Sequence, residues 1–400
     1  MVEQALSDVQ VLDLTWHIAG PYCTKLFADY GADVIKIEKP GEGDPARRMA
    51  PFFKDSPHPE KSGFFLHLNT NKRSITLNLK SSTGKKIFKD LVRDTDILVE
   101  NFSPHVMPSL GLSYEELEKI NPKLVMTSIS NFGQTGPYRD YKASDIIEEG
   151  MGQAMYVRGL PDREPQKLAA NIMGYQGGNV GATASMVAFH VARRKGIGQH
   201  VDVSIMECGL TAIDMRPGYL VGYQYTGLVG TREDAAVFGI MPFGVFPTQD
   251  GFVEIAVTPA HWPRIVKMLN MPDLPERFPN IFDMERRGEF EAILRVWLLE
   301  HTKQEAMEIA QAQKAYLVAL KTPGDLAEDP HFKERQFWVE IDHPVTGKLT
   351  HPGPNFRSEE TPWLVRRPAP LLGQHNHEVY CDQLGYSKGD LVKLGEMGVI

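Results

Sequence analysis

The stretch from residue 9 to residue 44 restricts the possible folds of this chain more than any other part of the sequence. Residues 9–14 form a mostly apolar run that predicts a buried strand, and Gly20 and Pro21 begin a helix. Residues 33–38 predict a second buried strand, which leads into a turn rich in glycine and proline. A strand, a helix and a strand within about 30 residues make one βαβ unit. We therefore expect a parallel sheet that binds its ligand at the ends of the strands.

Strands and helices continue to alternate as far as residue 204. The predicted elements are a helix over 83–92, a strand over 97–100, a helix from a capping box at Ser113 and Glu116 through residue 120, a strand over 124–129, a helix rich in small residues over 178–193, and a strand over 200–204. This order predicts an α/β fold with a large Rossmann-like domain. Composition shifts after about residue 218. We assign residues 1–224 and 331–400 to the large domain and residues 225–330 to a smaller, inserted α+β domain.

Composition and charge argue against several classes of function. The chain has 400 residues and a net charge of −8, without the basic stripe typical of nucleic-acid binding. No apolar run approaches the ~20 residues needed to cross a bilayer, and the N-terminal sequence does not resemble a signal peptide. The three cysteines lack zinc or disulfide spacing, and His375 and His377 have no third ligand nearby. We expect a cytoplasmic protein with no metal, nucleic-acid or membrane partner.

Six blocks of sequence carry a resemblance to a known family. In chain order they are AGPYCTKLFADYGADVIKIEKPGEGD (19–44), NTNKRSITLNLKSSTGKK (69–86), DILVENFSP (96–104), INPKLVMTSISNFGQTGPY (120–138), GIGQHVDVS (196–204) and APLLGQHNHEV (369–379). They closely resemble the class III CoA-transferases, the family of formyl-CoA and carnitine CoA-transferases. The resemblance implies a dimer whose two chains are threaded through each other as interlocked rings.

The resemblance also implies a site for coenzyme A, which would enter as part of the substrate and not as a bound cofactor. The family's CoA contacts fall on Ile18, Ala19, Lys39, Leu77, Asn78, Leu79, Lys80, Asn101, Phe102 and Lys142, with Asp145 in a supporting position. Lys39 and Lys142 would face the phosphate groups, since an ammonium binds phosphate well as a point charge. Two positions depart from the family pattern. Ser109 stands where the family has a CoA-binding arginine, and Ile18 stands where formyl-CoA transferase has glutamine.

The family's catalytic nucleophile is missing from this sequence. In the family an aspartate attacks the acyl-CoA and forms a mixed anhydride, a case of nucleophilic catalysis. That aspartate lies 22 residues before the first glycine of the GxG loop, which is Gly196 here, so its position is Gly174. Gly178 then falls where the family has a helix-opening glycine. Residues 168–181 contain no acidic residue, so a small shift in alignment does not supply one.

Other groups could take over part of the chemistry. Asp145 is the nearest upstream acid, although the resemblance favours a supporting role for it. The related α-methylacyl-CoA racemases pair a histidine with the aspartate, and the histidine position is Ser144 here, so racemisation is not expected. The aromatic residues Trp16, Tyr22, Tyr175 and Tyr223 could surround a bulky acyl group or belong to the core.

Three hypotheses follow from a family fold without the nucleophile. The first is a non-catalytic subunit that works with a homologous, aspartate-bearing chain, as in CoA-transferases of the benzylsuccinate type, which are built from two related subunits. Its substrates would be an acyl-CoA such as succinyl-CoA and a carboxylic acid. The second is a homodimeric acyl-CoA isomerase or lyase that needs no aspartate. The third is a CoA-binding protein without catalytic activity. We expect the chain alone to be inactive as a CoA-transferase.

Overall fold

The computed structural model describes residues 3–152, 155–160, 162–212, 216–229, 232 and 241–400. Contacts between residues divide the chain into two compact units. The first comprises Met1–Ala154, Leu168–Pro217 and Gln336–Ile400, and the second comprises Met155–Lys167 and Gly218–Arg335. The domain limits derived from the sequence, after residues 224 and 330, stay predictions.

One six-stranded sheet organises the first unit. Its strands are β1 (Gln10–Asp13), β2 (Asp33–Glu38), β3 (Arg73–Thr76), β4 (Ile97–Glu100), β5 (Val125–Ser130) and β6 (Gln199–Ser204). All neighbours pair in parallel, in the order β3-β2-β1-β4-β5-β6. The strand order reverses between β1 and β4, which is the usual ligand-binding point of such sheets. The predicted α/β fold is confirmed.

Helices cover the sheet and build most of the second unit. Along the chain they are α1 (Ala19–Asp29), α2 (Gly63–Leu68), α3 (Ser82–Val92), α4 (Val106–Leu110), α5 (Tyr114–Leu117), α6 (Asp145–Met151), α7 (Ile172–Lys195), α8 (Ile205–Ala212), α9 (Arg216–Thr226), α10 (Trp262–Leu269), α11 (Leu274–Arg277), α12 (Arg287–Leu299), α13 (Lys303–Ala312), α14 (Pro323–Glu328), α15 (Pro330–Glu334) and α16 (Lys388–Glu396). Over the residues described, none of these helices is long and apolar enough to cross a bilayer.

Both faces of the parallel sheet are buried, which explains the nearly continuous apolar strands. Successive strand residues alternate between two clusters, as the two-residue period of a strand requires. Val11 and Val99 pack into one cluster with helices α1 and α7. Leu12 and Leu98 pack into the other, with α3 and the C-terminal segment.

The C-terminal motif around His375 covers the open edge of β3. The Ser74 amide donates to His375 Nδ1 at 3.1 Å, and the His375 amide donates to the Ser74 carbonyl at 2.9 Å. The Asn376 side chain binds Thr76 through both of its polar atoms. These contacts pair an edge that would otherwise expose free backbone groups. The motif therefore has a structural use that needs no metal.

Two further sheets complete the fold. In the second unit β7 (Phe243–Pro247), β8 (Phe252–Ala256) and β9 (Leu317–Ala319) form an antiparallel sheet in that order. Its core joins residues of this sheet to apolar residues of α10, α12 and α13. In the first unit β10 (Trp338–His343) and β11 (Gly347–Pro352) form a hairpin.

Two local predictions are wrong. Helix α7 begins at Ile172 and not at Gly178, because its first turns are held by packing on α1. At Gly178 a Cβ atom would lie 2.6 Å from the Ala19 carbonyl oxygen, so only glycine permits this approach. The predicted capping box is also absent, since Ser113 makes no side-chain cap and α5 ends at Leu117 rather than Ile120.

A buried group of charges joins β1, β2 and the start of β3. Asp13 Oδ2 lies 2.9 Å from Lys72 Nζ and 3.9 Å from Lys36 Nζ, and none of the three side chains is exposed. Burial alone would raise the pKa of Asp13, but the two ammonium groups and the hydroxyls of Thr15 and Thr24 lower it to about 2. The carboxylate is therefore ionised at neutral pH and bound on both oxygens.

We predict that Asp13→Asn destabilises the protein strongly. The substitution leaves the buried Lys72 ammonium without its carboxylate, whereas Lys36 keeps Asp44 at 2.9 Å. Breaking a buried ion pair on one side costs about 3–5 kcal/mol. Urea unfolding followed by circular dichroism measures the loss. The control is Glu340→Gln, which removes an exposed pair with Lys348 on the β10–β11 hairpin and should leave the urea midpoint unchanged. Equal midpoints for Asp13→Asn and the native protein would contradict the prediction.

Candidate functional site

A cavity of about 660 Å³ opens at the carboxyl ends of strands β1 to β5. Residues that follow each strand line it, including Trp16 after β1, Lys39 after β2, Leu77 after β3, Asn101 after β4 and Asn131 after β5. The volume is typical of a site for a small molecule or cofactor. Its place beside the reversal of strand order agrees with the ligand position expected for a parallel α/β sheet.

Seven of the eleven residues predicted to contact CoA come together in this cavity. They are Lys39, Leu77, Asn78, Leu79, Lys80, Asn101 and Phe102. The apolar members supply walls on which a base or a pantetheine arm can lie, and the two lysines supply cations for phosphate groups. Trp16 packs edge-on against Phe102, with the ring centres 5.2 Å apart.

The other four predicted residues lie outside the lining. Ile18 occupies the N-cap position of α1, and Ala19 is the first residue of that helix. Both residues are buried. Lys142 Nζ donates to Ser103 Oγ at 3.3 Å, and Ser103 lines the cavity. Asp145 is the first residue of α6. The sequence resemblance predicted that these four residues contact CoA. In the structure none of them is part of the cavity wall.

The cavity also contains residues that the sequence did not single out. Arg139 adds a third cation to Lys39 and Lys80, and His17 adds an imidazole. Both stand in turns, where no periodic pattern marks a side chain as functional. The position of His17, directly after the first strand of a βαβ unit, is a signal that could have identified it. Ser109, where the family has an arginine, lines the same cavity.

Gly174 faces the start of α1. A Cβ atom at this position would lie 3.3 Å from Ile18 Cγ2 and 3.8 Å from the Ala19 nitrogen. A side chain at position 174 would therefore meet Ile18, which is 6% exposed and apolar. Gly174 and the N-cap residue of α1 thus lie next to each other, and the nearest side chain to a Cβ atom at position 174 is apolar.

The two further aromatic residues of the first unit form a pair beside Gly174. The rings of Tyr22 and Tyr175 meet edge to face with their centres 4.9 Å apart. Burial raises the pKa of Tyr175, so its hydroxyl stays protonated at neutral pH. Tyr223 belongs to the second unit and is exposed.

Acidic groups surround the site without occupying the nucleophile position. Asp145 Oδ1 accepts a hydrogen bond from the Met173 amide at 3.0 Å, at the start of α7. Glu148 is 4% exposed, and burial together with the charge of Asp145 raises its pKa to about 7. With the Asn131 side-chain amide flipped, its nitrogen donates to Glu148 Oε1 at 3.0 Å and its oxygen accepts from the Ala143 amide at 3.3 Å. Asn131 lines the cavity, so it connects Glu148 to the cavity wall.

Comparison with known proteins establishes the family. The sequence model of CoA-transferase family III matches residues 6–376 of the 400-residue chain. The chain belongs to CoA-transferase family III. This family membership confirms the resemblance seen in the six sequence blocks.

Individual members of CoA-transferase family III are similar over almost the whole chain. The succinyl-CoA–D-citramalate CoA-transferase of Chloroflexus aurantiacus is 34% identical, with 99% of this chain and 98% of that protein covered. The succinyl-CoA:glutarate CoA-transferase of Mus musculus is 30% identical, with coverage of 99% and 90%. A CAIB/BAIF family protein from Brucella suis has a crystal structure that matches with a TM-score of 0.84 at 28% identity, over 95% of this chain and 99% of that one.

The site contains no arrangement typical of a bound metal. Within the described part of the chain, no three His, Cys, Asp or Glu side chains are grouped to hold an ion. The cavity lining includes the cationic side chains of Lys39, Lys80 and Arg139 together with amide, hydroxyl, imidazole and apolar groups and one carboxylate, Glu38. The three cations suit an anionic organic ligand such as a CoA ester.

We predict that the stability of this protein depends on the protonation of Glu100 at the end of β4. Glu100 is 3% exposed, and burial raises its pKa from 4.5 to about 7, against opposing hydrogen bonds from Ser128 and Phe102. Between these pH values the folded state holds a proton that the unfolded chain has released. The contribution of Glu100 to stability is therefore complete below pH 4.5 and is lost as the pH rises through 7.

The variant Glu100→Gln tests this dependence. Glutamine keeps an oxygen to accept from the Phe102 amide and carries no charge. The unfolding free energy of the variant minus that of the native protein should increase by about 1–3 kcal/mol when the pH is raised from 5 to 8. Urea unfolding at both pH values measures the gain. A difference between the two proteins that does not change with pH would refute the assignment.

Proposed function

We propose that this chain is the non-catalytic subunit of a hetero-oligomeric class III CoA-transferase, paired with a homologous chain that carries the aspartate nucleophile. The complex would move CoA from an acyl-CoA to a carboxylic acid. The observation that carries the proposal is the glycine at position 174, which supplies no carboxylate where the family resemblance places the nucleophile. The nearest side chain to a Cβ atom at this position would be the apolar Ile18. The family fold and the cavity are nevertheless kept.

Succinyl-CoA is the CoA donor that we propose. Two relatives similar to nearly the whole of this chain carry succinyl-CoA in their names, although their acceptor acids differ. A cavity with three cations also suits the phosphate groups that all CoA esters share. The acceptor is a carboxylic acid, since the reaction exchanges one carboxylate for another on the CoA sulfur.

The proposed chemistry takes place on the partner chain. Its aspartate oxygen attacks the thioester carbonyl, the C–S bond breaks, and CoA leaves as a thiolate. The acceptor carboxylate then attacks the resulting anhydride and releases the donor acid. The CoA thiolate attacks the new anhydride, which forms the product thioester and frees the aspartate. A glycine offers no oxygen for the first step, so Gly174 of this chain does not take part.

The role of this chain in the complex is then to supply the scaffold and a CoA-shaped cavity. In an interlocked dimer each chain is threaded through the other, so the catalytic chain would depend on its partner to complete its fold. Homodimeric members meet this need with a second identical copy. Here a related chain without the nucleophile would meet it, which gives a reason for the fold to persist after the catalytic group is lost.

A second candidate function is an acyl-CoA isomerase or lyase that works without the family aspartate. The observation in its favour is Asp145, whose carboxylate accepts from the Met173 amide, one residue before Gly174. A carboxylate at this point could move a proton on a bound acyl-CoA. In that case the isolated chain would be active, and Asp145→Asn would abolish the activity.

Our central prediction is that CoA-transferase activity appears only when both chains are present. The purified single chain should show no transfer from succinyl-CoA at enzymatic rates of ~1–10³ s⁻¹. Co-expression with the candidate partner should restore activity, and replacing the partner's aspartate by asparagine should abolish it. The matching control replaces Gly174 by alanine, which adds no carboxylate and should leave the activity of the complex intact. A stable, active homodimer of this chain would instead favour the second candidate.

We also predict that this chain binds CoA through Lys39. Lys39 is half exposed at the cavity and pairs with Glu42 at 2.5 Å. Its replacement by glutamate puts a negative charge beside the phosphate groups and should weaken CoA binding by about 1–3 kcal/mol. Isothermal titration calorimetry measures the loss. Lys142→Glu should have a similar effect if Lys142 reaches the phosphates from its position beside Ser103.

Lys119 provides a matched control for this test. It is exposed and pairs with Glu116 three residues away, as Lys39 does with Glu42, but it lies outside the cavity. Lys119→Glu should leave CoA affinity unchanged. If Lys39→Glu and Lys142→Glu also bind CoA normally, the cavity is not the CoA site of this chain.

A further inference from the structure

The turn that follows β1 is held by side chains from other parts of the first unit. The Thr15 amide donates to Asp13 Oδ1 at 2.8 Å, and its carbonyl accepts from Lys36 Nζ at 2.7 Å. The Trp16 amide and carbonyl both bind the Asn101 side chain, each at 2.8 Å. The His17 amide is bound by a side chain too, that of Asp44. Side chains therefore bind five backbone groups of the turn formed by Thr15, Trp16 and His17.

His17 completes the turn in an unusual backbone conformation. Its φ is +66°, in the left-handed region that is uncommon for residues other than glycine, although asparagine, aspartate and histidine adopt it more often than the rest. The His17 amide donates to Asp44 Oδ1 at 3.0 Å, and Asp44 is itself fully buried and paired with Lys36 at 2.9 Å. Strained residues of this kind persist only where the surroundings fix them, and they cluster at functional sites.

The imidazole of His17 lies in the cavity that holds the lysines, and the neighbouring residue leads toward Gly174. It is exposed and lines the cavity that also contains Lys39 and Lys80. The next residue is Ile18, whose Cγ2 lies 3.3 Å from the Cβ position at Gly174. His17 therefore belongs to the cavity wall that adjoins the nucleophile position.

We infer that His17 is a binding residue for the pantetheine–thioester end of a CoA ester, and that Asp44 is the positioning residue that holds its backbone. This inference rests on the proposed function, which places CoA in the cavity. With the phosphate groups held by the lysines, the pantetheine arm runs toward Gly174 and passes the imidazole. A neutral imidazole has one N–H to donate and one nitrogen to accept, which suits the amide and carbonyl groups of the arm.

Two ligands distinguish contacts with the pantetheine arm from contacts with the nucleotide and its phosphate groups. CoA has the complete arm, whereas 3′-phosphoadenosine 5′-diphosphate keeps the adenine and all phosphate groups and has no pantetheine. For His17→Gly we expect CoA affinity to fall about five- to twentyfold, the scale of one or two hydrogen bonds, with no change for the truncated probe. The glycine also removes the left-handed strain, so the melting temperature should not fall.

Two further variants make the test specific. His17→Asn tolerates the left-handed conformation and keeps a donor and an acceptor, so it should recover part of the CoA affinity. His190→Ala removes an exposed imidazole on α7 outside the cavity and should change nothing.

The outcomes separate this inference from the proposed function. Unchanged CoA affinity in His17→Gly, or an equal loss for both probes, overturns the inference while the CoA cavity stands. Failure of the native chain to bind either probe refutes the CoA cavity itself, and the role of His17 with it.

Discussion

The architecture of the site depends on the buried charges beneath it. Asp13 ends β1, Lys36 lies within β2 and Lys72 directly precedes β3, and none of their side chains reaches solvent. An ion that is buried without its partner is costly, so the three strands are constrained to one relative position. The same ammonium and carboxylate groups bind the backbone of Thr15, which leads into the cavity wall. The core of the sheet and the shape of the site are therefore determined by one set of interactions.

The structure joins two observations that are separate in the sequence. Ile18 and Gly174 are far apart along the chain, and each departs from the family pattern on its own. In three dimensions the two positions are adjacent, since a Cβ atom added to residue 174 would lie 3.3 Å from Ile18 Cγ2. A side chain at position 174 would therefore begin against the apolar side chain of Ile18. Residue 174 therefore carries no carboxylate, and its neighbour at position 18 is apolar.

Much of the fold could be predicted from local patterns, and much of the site could not. Strand β4 was predicted from a run of apolar residues, and β2 from Val34, Ile35 and Ile37 within a stretch that also carries three charged side chains; both strands are almost entirely buried. Strand β3 is harder to recognise, since three of its four residues, RSIT, are polar and bind the C-terminal segment or other side chains. The start of α7 was missed because glycines are unfavourable in helices, and only packing on α1 makes them acceptable. His17 and Arg139 lie in turns, so their place in the cavity follows from tertiary structure alone.

The way in which the first turn is held has a consequence for the evolution of the family. The side chains of Asp13, Lys36, Asn101 and Asp44 bind main-chain atoms of the turn. They therefore fix the path of the chain without using the side chains of residues 16 and 17, although Trp16 also packs on Phe102 and residue 17 has a left-handed backbone. After gene duplication, one copy could exchange these residues and acquire a new ligand preference without first losing its fold. In such a turn, contacts with main-chain atoms contribute to stability, whereas the side chains that face the cavity determine ligand specificity. Specificity can therefore change while stability is kept.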